Sequence, residues 1–115
     1  MLAAKFRFHG HGSLKYVYKN ADAVRSRLIS MKLVPNERRK NSRFSVVVSK
    51  KVYKGAVGRN RIRRRIYEIV RAEQPKLKST YDIVLMVFSS EVINLSQPEL
   101  VEIVRDLFTR AGVYK

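Results

Sequence analysis

The residues with the clearest chemical potential lie between Lys50 and Arg71, where nine basic side chains stand with one acidic side chain, Glu68. The basic residues are Lys50, Lys51, Lys54, Arg59, Arg61, Arg63, Arg64, Arg65 and Arg71. An arginine guanidinium is planar and donates two parallel hydrogen bonds, which suits it to phosphate. We therefore predict that this segment binds a polyanion through its phosphate groups.

The spacing within this segment predicts a helix from Arg59 to about Glu73, with Pro75 marking its end. One stripe of the helix is apolar and is formed by Ile62, Ile66, Ile69 and Val70. The opposite side is polar and carries Asn60, Arg61, Arg64, Glu68 and Arg71. Arg63 and Arg65 flank the boundary. We expect the stripe to pack on a sheet while the arginines face solvent.

The start of this helix could assist anion binding, because the first backbone N–H groups of a helix have no partner within it. Gly55 and Gly58 precede Arg59 and allow a close backbone approach. The lysine and serine of a nucleotide-binding P-loop are missing, so we reject that interpretation.

Other catalytic chemistries find little support in the sequence. His9 and His11 lack a nearby third partner for a metal ion, and the chain has no cysteine. The carboxylates are scattered, and the serines lack a histidine at a recognisable spacing. Asp82, within an apolar strand, is expected to satisfy a backbone group or an arginine.

Charge and length agree with a nucleic-acid partner. Lys and Arg number 25 against 9 Asp and Glu in 115 residues, a net charge of +16. Such an imbalance destabilises a compact fold by self-repulsion unless a polyanion neutralises it. We expect one RNA-binding domain over residues 1–115, with residues 1–12 as a flexible arm. No apolar run approaches a membrane span, and we expect a cytoplasmic location with no membrane partner.

The first half of the chain predicts a short helix and two strands. Ser13 can cap a helix from Leu14 to about Asn20. A half-buried strand is predicted over 24–34, with Ile29, Met31 and Leu33 on one side and Leu28, Ser30 and Lys32 on the other. An extra short strand between Asn20 and Leu28 stays open. A second strand spans 43–49, and a connection over 52–58 leads to the basic helix.

The second half predicts a strand and a helix. The run from Tyr81 to Phe88 is apolar on both faces, as in a covered central strand. Ser96 and Glu99 form a capping box for a helix that ends before Gly112. The fold class is therefore α+β, a two-layer sandwich like that of some ribosomal proteins. A small, mostly antiparallel sheet of three to four strands packs with three helices in the order α-β-β-(β)-α-β-α.

With these elements placed, the chain resembles the bacterial ribonuclease P protein family. The matching stretch is Phe44-Ser-Val-Val-Val-Ser-Lys-Lys-Val, a short spacer, then Ala56-Val-Gly-Arg-Asn-Arg-Ile-Arg-Arg-Arg-Ile. It resembles the family's strand, Ser-Lys-Lys turn and "RNR" helix. The resemblance extends more weakly over nearly the whole chain.

The resemblance implies a division of labour between protein and RNA. The RNA subunit hydrolyses the phosphodiester bond with the help of Mg²⁺, which is bound mainly by that RNA. No catalytic residue lies in the protein. The protein contacts the catalytic RNA through Lys50, Lys51, Arg59, Asn60, Arg61, Arg63, Arg64, Arg65 and Arg71. It binds the 5′ leader of precursor transfer RNA in a cleft at Leu14, Tyr18, Ser30 and Lys32. Leu14 and Ser30 depart from the aromatic and apolar residues common there.

Three other classes share part of the pattern. A structural ribosomal protein would have the same charge without a leader-sized cleft. A protein-only nuclease would need clustered carboxylates for its metal ions. A DNA-binding module would prefer duplex DNA to single-stranded RNA leaders.

Overall fold

The structure, a computed structural model, describes Val17, Lys19, residues 22–36 and residues 40–115. These described residues form four strands: β1 (Asp22–Arg25), β2 (Ile29–Pro35), β3 (Arg43–Val48) and β4 (Tyr81–Val87). Two α-helices accompany them, α1 (Ala56–Glu73) and α2 (Gln97–Ala111), with 3-10 turns at Gln74–Lys76 and Ser90–Asn94. No helix in the described ranges is long and apolar enough to cross a membrane.

The predicted α+β class with a four-stranded, mostly antiparallel sheet is confirmed. The strand order is β1-β2-β4-β3. β1 pairs with β2 and β2 with β4 in antiparallel fashion, whereas β3 and β4 run parallel and are joined through α1. β4 is thus an inner strand, and its apolar residues are covered on both faces, as predicted.

Alternation along the strands divides the sheet into two faces. The face that packs against the helices, called the core face, carries Ile29, Met31, Leu33, Phe44, Val46, Val48, Ile83, Leu85 and Val87. The stripe predicted for α1 packs on it through Ile62, Ile66, Ile69 and Val70. The basic helix is therefore anchored by its apolar side.

The opposite face, called the open face, carries Ser30, Lys32, Ser45, Val47, Val84 and Met86. Register places Met86 between Ser30 and Val47, and Val84 between Lys32 and Ser45. Val17 is helical and fully buried against Val84, with Val47 and Met86 packed beside them. The bounds of the predicted first helix, Leu14 to Asn20, and so the predicted helix count and order, lie outside the described residues.

The single strand predicted over 24–34 is wrong, because the chain turns between β1 and β2 at Ser26. The Ser26 hydroxyl oxygen accepts hydrogen bonds from the backbone N–H groups of Ile29 (3.1 Å) and Leu28 (3.4 Å), and it donates to the Ile29 carbonyl (2.8 Å). A serine side chain thus stabilises a turn that contains no glycine or proline to indicate it in the sequence. The extra strand left open is β1, and Leu28 joins the core cluster instead of the side of Ser30.

α1 begins at Ala56, three residues before the predicted start at Arg59, with Gly55 as its N-cap. The low helix propensity of glycine argues against helix at position 58, but the Arg59 N–H already bonds to the Gly55 carbonyl at 3.1 Å. α2 behaves as predicted. The Ser96–Glu99 capping box forms, and Gly112 ends the helix in the left-handed region at φ 71°.

The carboxylate of Glu73 ties the end of α1 to α2 and to the last residues of the chain. It is 4% exposed and accepts hydrogen bonds from the Tyr114 hydroxyl (2.7 Å) and Lys76 Nζ (3.1 Å), and it pairs with Arg105 Nε at 3.1 Å. Burial alone would raise the pKa of Glu73, but the bonds from Tyr114 and Lys76 and the charges of Lys76 and Arg105 lower it below its ordinary value. Burial and the bond to Glu73 raise the pKa of Tyr114.

Replacing Glu73→Gln is expected to lower the free energy of unfolding at neutral pH by about 1–3 kcal/mol, because three donors lose a charged acceptor. Since the pKa of Glu73 is lowered in the folded state, its stabilising effect is present above the ordinary value of 4.5 and is lost as pH falls through the folded pKa. Thermal unfolding of both proteins across pH 3–7 checks this. The two curves should converge at low pH, and a constant gap would contradict the role of the Glu73 charge.

Candidate nucleic-acid interface

The solvent side of α1 displays a row of arginines, called the basic helix face, made of Arg61, Arg64 and Arg71. All three are exposed. Arg61 and Arg64 make no hydrogen bond or ion pair with any residue that the structure describes. Arg71 pairs with Glu68 at 2.9 Å in an exposed i,i+3 contact, which water screens and a phosphate can replace. Because α1 is anchored on its other side, these cations are held together on one surface.

Two further predicted residues, Asn60 and Arg63, lie at the border of this face. Asn60 is exposed, Arg63 is half-buried, and a guanidinium N–H of Arg63 donates to the Asn60 amide oxygen. The bond orients the Arg63 fork along the first turns of α1. Asn60 therefore acts locally by holding a neighbouring guanidinium.

Arg65 has a structural role on the opposite border of α1. Its guanidinium donates to the Gln97 side chain (3.0 Å), to the Val92 carbonyl (3.2 Å) and to the Leu95 carbonyl (2.5 Å). Three of its five N–H donors are thereby used within the chain. Arg65 braces α1 against the 3-10 turn and the start of α2, and it stands apart from the exposed row.

Arg59 fixes the turn before α1. Its guanidinium donates to the carbonyls of Tyr53 (2.9 Å) and Lys54 (2.6 Å). Within this turn, called the lysine turn, Lys50, Lys51 and Lys54 are exposed. The first turn of α1 contains no acidic residue and its N-cap has no side-chain hydrogen bond, so cations surround unsatisfied helix N–H groups. This arrangement favours an anion at the start of the helix.

Gly58 allows the ring of Tyr53 to lie against α1. A Cβ at position 58 would fall 1.9 Å from Cε1 of Tyr53, far inside contact distance. The close approach explains why a glycine stands inside the first turn of a helix, where alanine has a better intrinsic propensity. Gly58 thus serves packing of the lysine turn, whereas a Cβ at Gly55 would make only an ordinary contact with Tyr53 at 3.5 Å.

We expect Gly58→Ala to displace the Tyr53 ring and with it the lysine turn. Affinity for RNA should fall by about threefold to tenfold, while the free energy of unfolding should change by less than about 1 kcal/mol, because better helix propensity offsets the poorer packing. Filter binding and thermal unfolding measure the two quantities. In a Tyr53→Ala background the same substitution should have little further effect, and full additivity of the two losses would contradict this explanation.

Two of the four residues predicted for a leader cleft, Ser30 and Lys32, lie on the open face. Ser30 is 8% exposed and Lys32 is half-buried, in adjacent rows of β2. Leu14 and Tyr18 lie outside the described residues. Val17 lies over this face and is buried against Val84, which Lys32 flanks in the register. The leader cleft itself stays a prediction.

An ion pair lies at one end of the open face, and the sequence analysis identified only its acidic partner, Asp82. The Asp82 carboxylate accepts from Arg43 Nε (3.0 Å), from an Arg43 terminal nitrogen (2.9 Å) and from Asn36 Nδ2 (2.9 Å). The expectation that Asp82 satisfies an arginine is confirmed. Its partner could have been found from the parallel pairing of β3 with β4, which places Arg43 beside Asp82.

Apart from Glu68, which pairs with Arg71, the described acidic residues lie outside the basic helix face. Four of the nine, Glu91, Glu99, Glu102 and Asp106, lie between residues 91 and 106 on the 3-10 turn and α2. By contrast, the lysine turn and the solvent side of α1 carry mostly cations. The excess positive charge is therefore concentrated on this side of the protein, which suits an extended anionic partner bound there.

Comparison with known proteins identifies relatives of this arrangement. The family model described as Ribonuclease P matches residues 2–112. The ribonuclease P protein component of Roseiflexus castenholzii is 38% identical over 86 residues, which cover 75% of this chain and 69% of the relative. That of a Synechocystis species is 30% identical over 97 residues, covering 84% and 77%.

Two solved structures share the fold. The RNase P protein from Staphylococcus aureus matches with a TM-score of 0.84 and 21% identity, over 96% of this chain and 98% of that one. The RNase P protein from Thermotoga maritima matches with a TM-score of 0.80 and 20% identity, over 90% and 96%. At these identities the likeness concerns the fold.

Proposed function

Because the chain belongs to the ribonuclease P protein family and is a subunit of that transfer-RNA-processing endoribonuclease, we propose that it binds two RNAs through two surfaces. The basic helix face and the lysine turn contact the RNA subunit of ribonuclease P. The open face contacts the 5′ leader of precursor transfer RNA. The names of the relatives and the separation of the two surfaces by the sheet support this assignment.

The observation that carries the proposal is the exposure of Arg61 and Arg64 on a helix fixed by its opposite side. A guanidinium with no partner among the described residues keeps its full capacity to bind phosphate. Anchoring α1 to the core face holds both groups in place before RNA arrives, which reduces the entropy cost of binding. A folded RNA displays phosphates along its backbone, so a rigid row of cations matches it.

Hydrolysis is assigned to the RNA subunit, which is expected to bind the required Mg²⁺. The chemistry of this chain supports that division, since the two buried carboxylates, Glu73 and Asp82, are each held by cations of the chain itself. The protein contributes by binding and orienting RNA and by neutralising phosphate charge. A cytoplasmic location follows from a role in transfer RNA maturation.

The open face suits a single strand of variable sequence. Its floor includes the half-buried Met86 and Val47, which offer apolar surface without specific hydrogen bonds to bases, while Val84 beneath Val17 is fully buried. Lys32 adds a charge that can meet a backbone phosphate. Recognition by shape and charge is what variable leaders require. We propose that Tyr18, Leu14 and Ser30 complete this surface.

Binding of the chain to ribonuclease P RNA at increasing salt tests the proposal. The logarithm of the association constant should fall linearly with the logarithm of salt concentration, with a slope set by the number of phosphates that the protein neutralises. Ribosomal RNA fragments of equal length serve as competitors. Equal affinity for both RNAs would favour a general RNA-binding role, as expected of a structural ribosomal protein.

Lys32→Ala is expected to lower the affinity of the holoenzyme for leader-bearing precursor by about threefold to tenfold, because one leader phosphate is no longer neutralised. Affinity for mature transfer RNA should stay within about twofold, since that product lacks the leader. Equilibrium binding of the two RNAs, measured side by side, checks the difference. Equal losses of affinity for both RNAs would remove Lys32 from the leader surface.

A further inference from the structure

We propose that Phe88 is a stacking platform for one unpaired base of the leader, at the edge where the open face meets the lysine turn. The inference rests on the proposed function and deepens it by assigning a residue that reads the aromatic surface of a base. Phe88 is 50% exposed, and the other large exposed apolar side chain among the described residues is Val57 in α1. Half of the Phe88 ring therefore stays in contact with water, and a stacked base would cover that apolar surface.

The position of Phe88 follows from the register of β4. Val87, the last residue of β4, packs on the core face, Met86 lies on the open face, and Phe88 follows directly after Val87. The Phe88 N–H bonds to the Leu28 carbonyl at 3.1 Å, so the ladder between β2 and β4 continues to this residue. Phe88 therefore lies at the end of the sheet, two residues beyond Met86.

Parallel pairing brings cations to the same edge. Val48 of β3 pairs with Val87 of β4, so Ser49 and Phe88 leave the sheet side by side. Lys50 and Lys51 follow Ser49 directly and are exposed. Proteins bind single-stranded nucleic acid by combining aromatic rings with cations. The ring stacks on a base, and the cations contact the phosphates of the nucleic-acid backbone.

The segment after Phe88 is held rigidly, as a stacking platform requires. Ser89 caps the 3-10 turn by accepting the Glu91 N–H at 3.2 Å. Arg65 then binds the carbonyls of Val92 and Leu95 at the far end of the turn. The backbone that follows Phe88 is thus tied to α1, and a base stacked on the ring would lie between the leader surface and the surface assigned to catalytic RNA.

The test uses the full chain assembled with ribonuclease P RNA and a series of precursor transfer RNAs, each with 2-aminopurine at one leader position. In the wild-type complex the fluorescence of one position should be quenched by stacking. Phe88→Ala should restore that fluorescence and weaken binding of leader-bearing precursor about tenfold. Phe88→Trp should keep both the quenching and the affinity. Thr109→Ala, a neutral change on exposed α2, is the matched control and should behave like wild type.

Phe88→Leu separates stacking from apolar packing, because leucine keeps apolar volume without an aromatic face. It should restore the fluorescence as Phe88→Ala does, with an unchanged midpoint of thermal unfolding. Quenching that survives in both variants, while Lys32→Ala still weakens leader binding selectively, would overturn the role of Phe88 and leave leader binding by the open face in place. A wild-type holoenzyme that binds precursor and mature transfer RNA equally would overturn both.

Discussion

Replacing Arg61 and Arg64 together by alanine is expected to weaken binding to ribonuclease P RNA at least about 100-fold at moderate salt, because each guanidinium supplies charge-assisted hydrogen bonds worth about 1.5–3 kcal/mol. The slope of log affinity against log salt should fall by about 0.7–0.9 for each phosphate that is no longer neutralised. The fold should be unaffected, since both side chains are exposed and make no bond to a described residue. Salt titrations by filter binding and a thermal melt measure these quantities.

The matched control for this double variant removes the same charge elsewhere. Lys78 and Arg110 are exposed and lie away from the basic helix face, in the loop after α1 and at the end of α2. Lys78→Ala/Arg110→Ala should lower affinity only slightly, through net charge. Arg61→Lys/Arg64→Lys should keep most of the salt slope but bind less tightly, because lysine lacks the bidentate fork. Equal losses of affinity in the alanine and control variants would show that total charge, and not the basic helix face, governs binding.

Asp82→Ala is expected to lower the free energy of unfolding by about 3–5 kcal/mol, because it leaves the Arg43 guanidinium largely buried without its anion. The side chains of Asp82 and Arg43 are 7% and 16% exposed, and two bonds join them. For a domain of this size the midpoint of thermal unfolding should fall by more than about 10 °C. Calorimetry or circular dichroism would measure the change.

The comparison that isolates burial uses an exposed pair. Arg110 and Asp106 also lie 2.9 Å apart, but both are about half exposed. Asp106→Ala should therefore cost no more than about 1 kcal/mol. The double change Arg43→Met/Asp82→Leu should recover much of the stability that Asp82→Ala removes, since it eliminates the buried guanidinium together with the carboxylate. A mild effect of Asp82→Ala would contradict the stabilising role of this ion pair.

Local sequence patterns predict well those elements whose burial or capping depends on the spacing of neighbouring residues. The stripe of α1 from Ile62 to Val70, the covered strand β4 and the capping box of α2 each depend on local spacing. The turn at Ser26 escapes such a prediction because a serine hydroxyl closes it and no glycine or proline lies in it. The start of α1 is predicted too late because Gly58 serves the Tyr53 ring, and periodicity does not reveal a contact of that kind.

The candidate site shows the same limit. Charge and wheel position predict the exposed arginines, but they cannot separate Arg61 and Arg64 from Arg65, whose hydrogen bonds to Val92 and Leu95 span 27 and 30 residues of chain. The pairing of Arg43 with Asp82 and the edge shared by Phe88 and Lys50 both depend on the parallel alignment of β3 with β4. Strand order and direction are tertiary properties, so local sequence patterns do not predict which residues meet through them.

The most direct test of the central claim is precursor cleavage by ribonuclease P RNA at a Mg²⁺ concentration too low for the RNA alone. Adding this chain should restore cleavage at the 5′ end of the mature transfer RNA, because its cations replace part of the charge neutralisation that Mg²⁺ provides. Arg61→Ala/Arg64→Ala should fail to do so at the same protein concentration. Cleavage that does not respond to the chain, or cleavage by the chain without RNA, would contradict a role as the RNA-binding subunit.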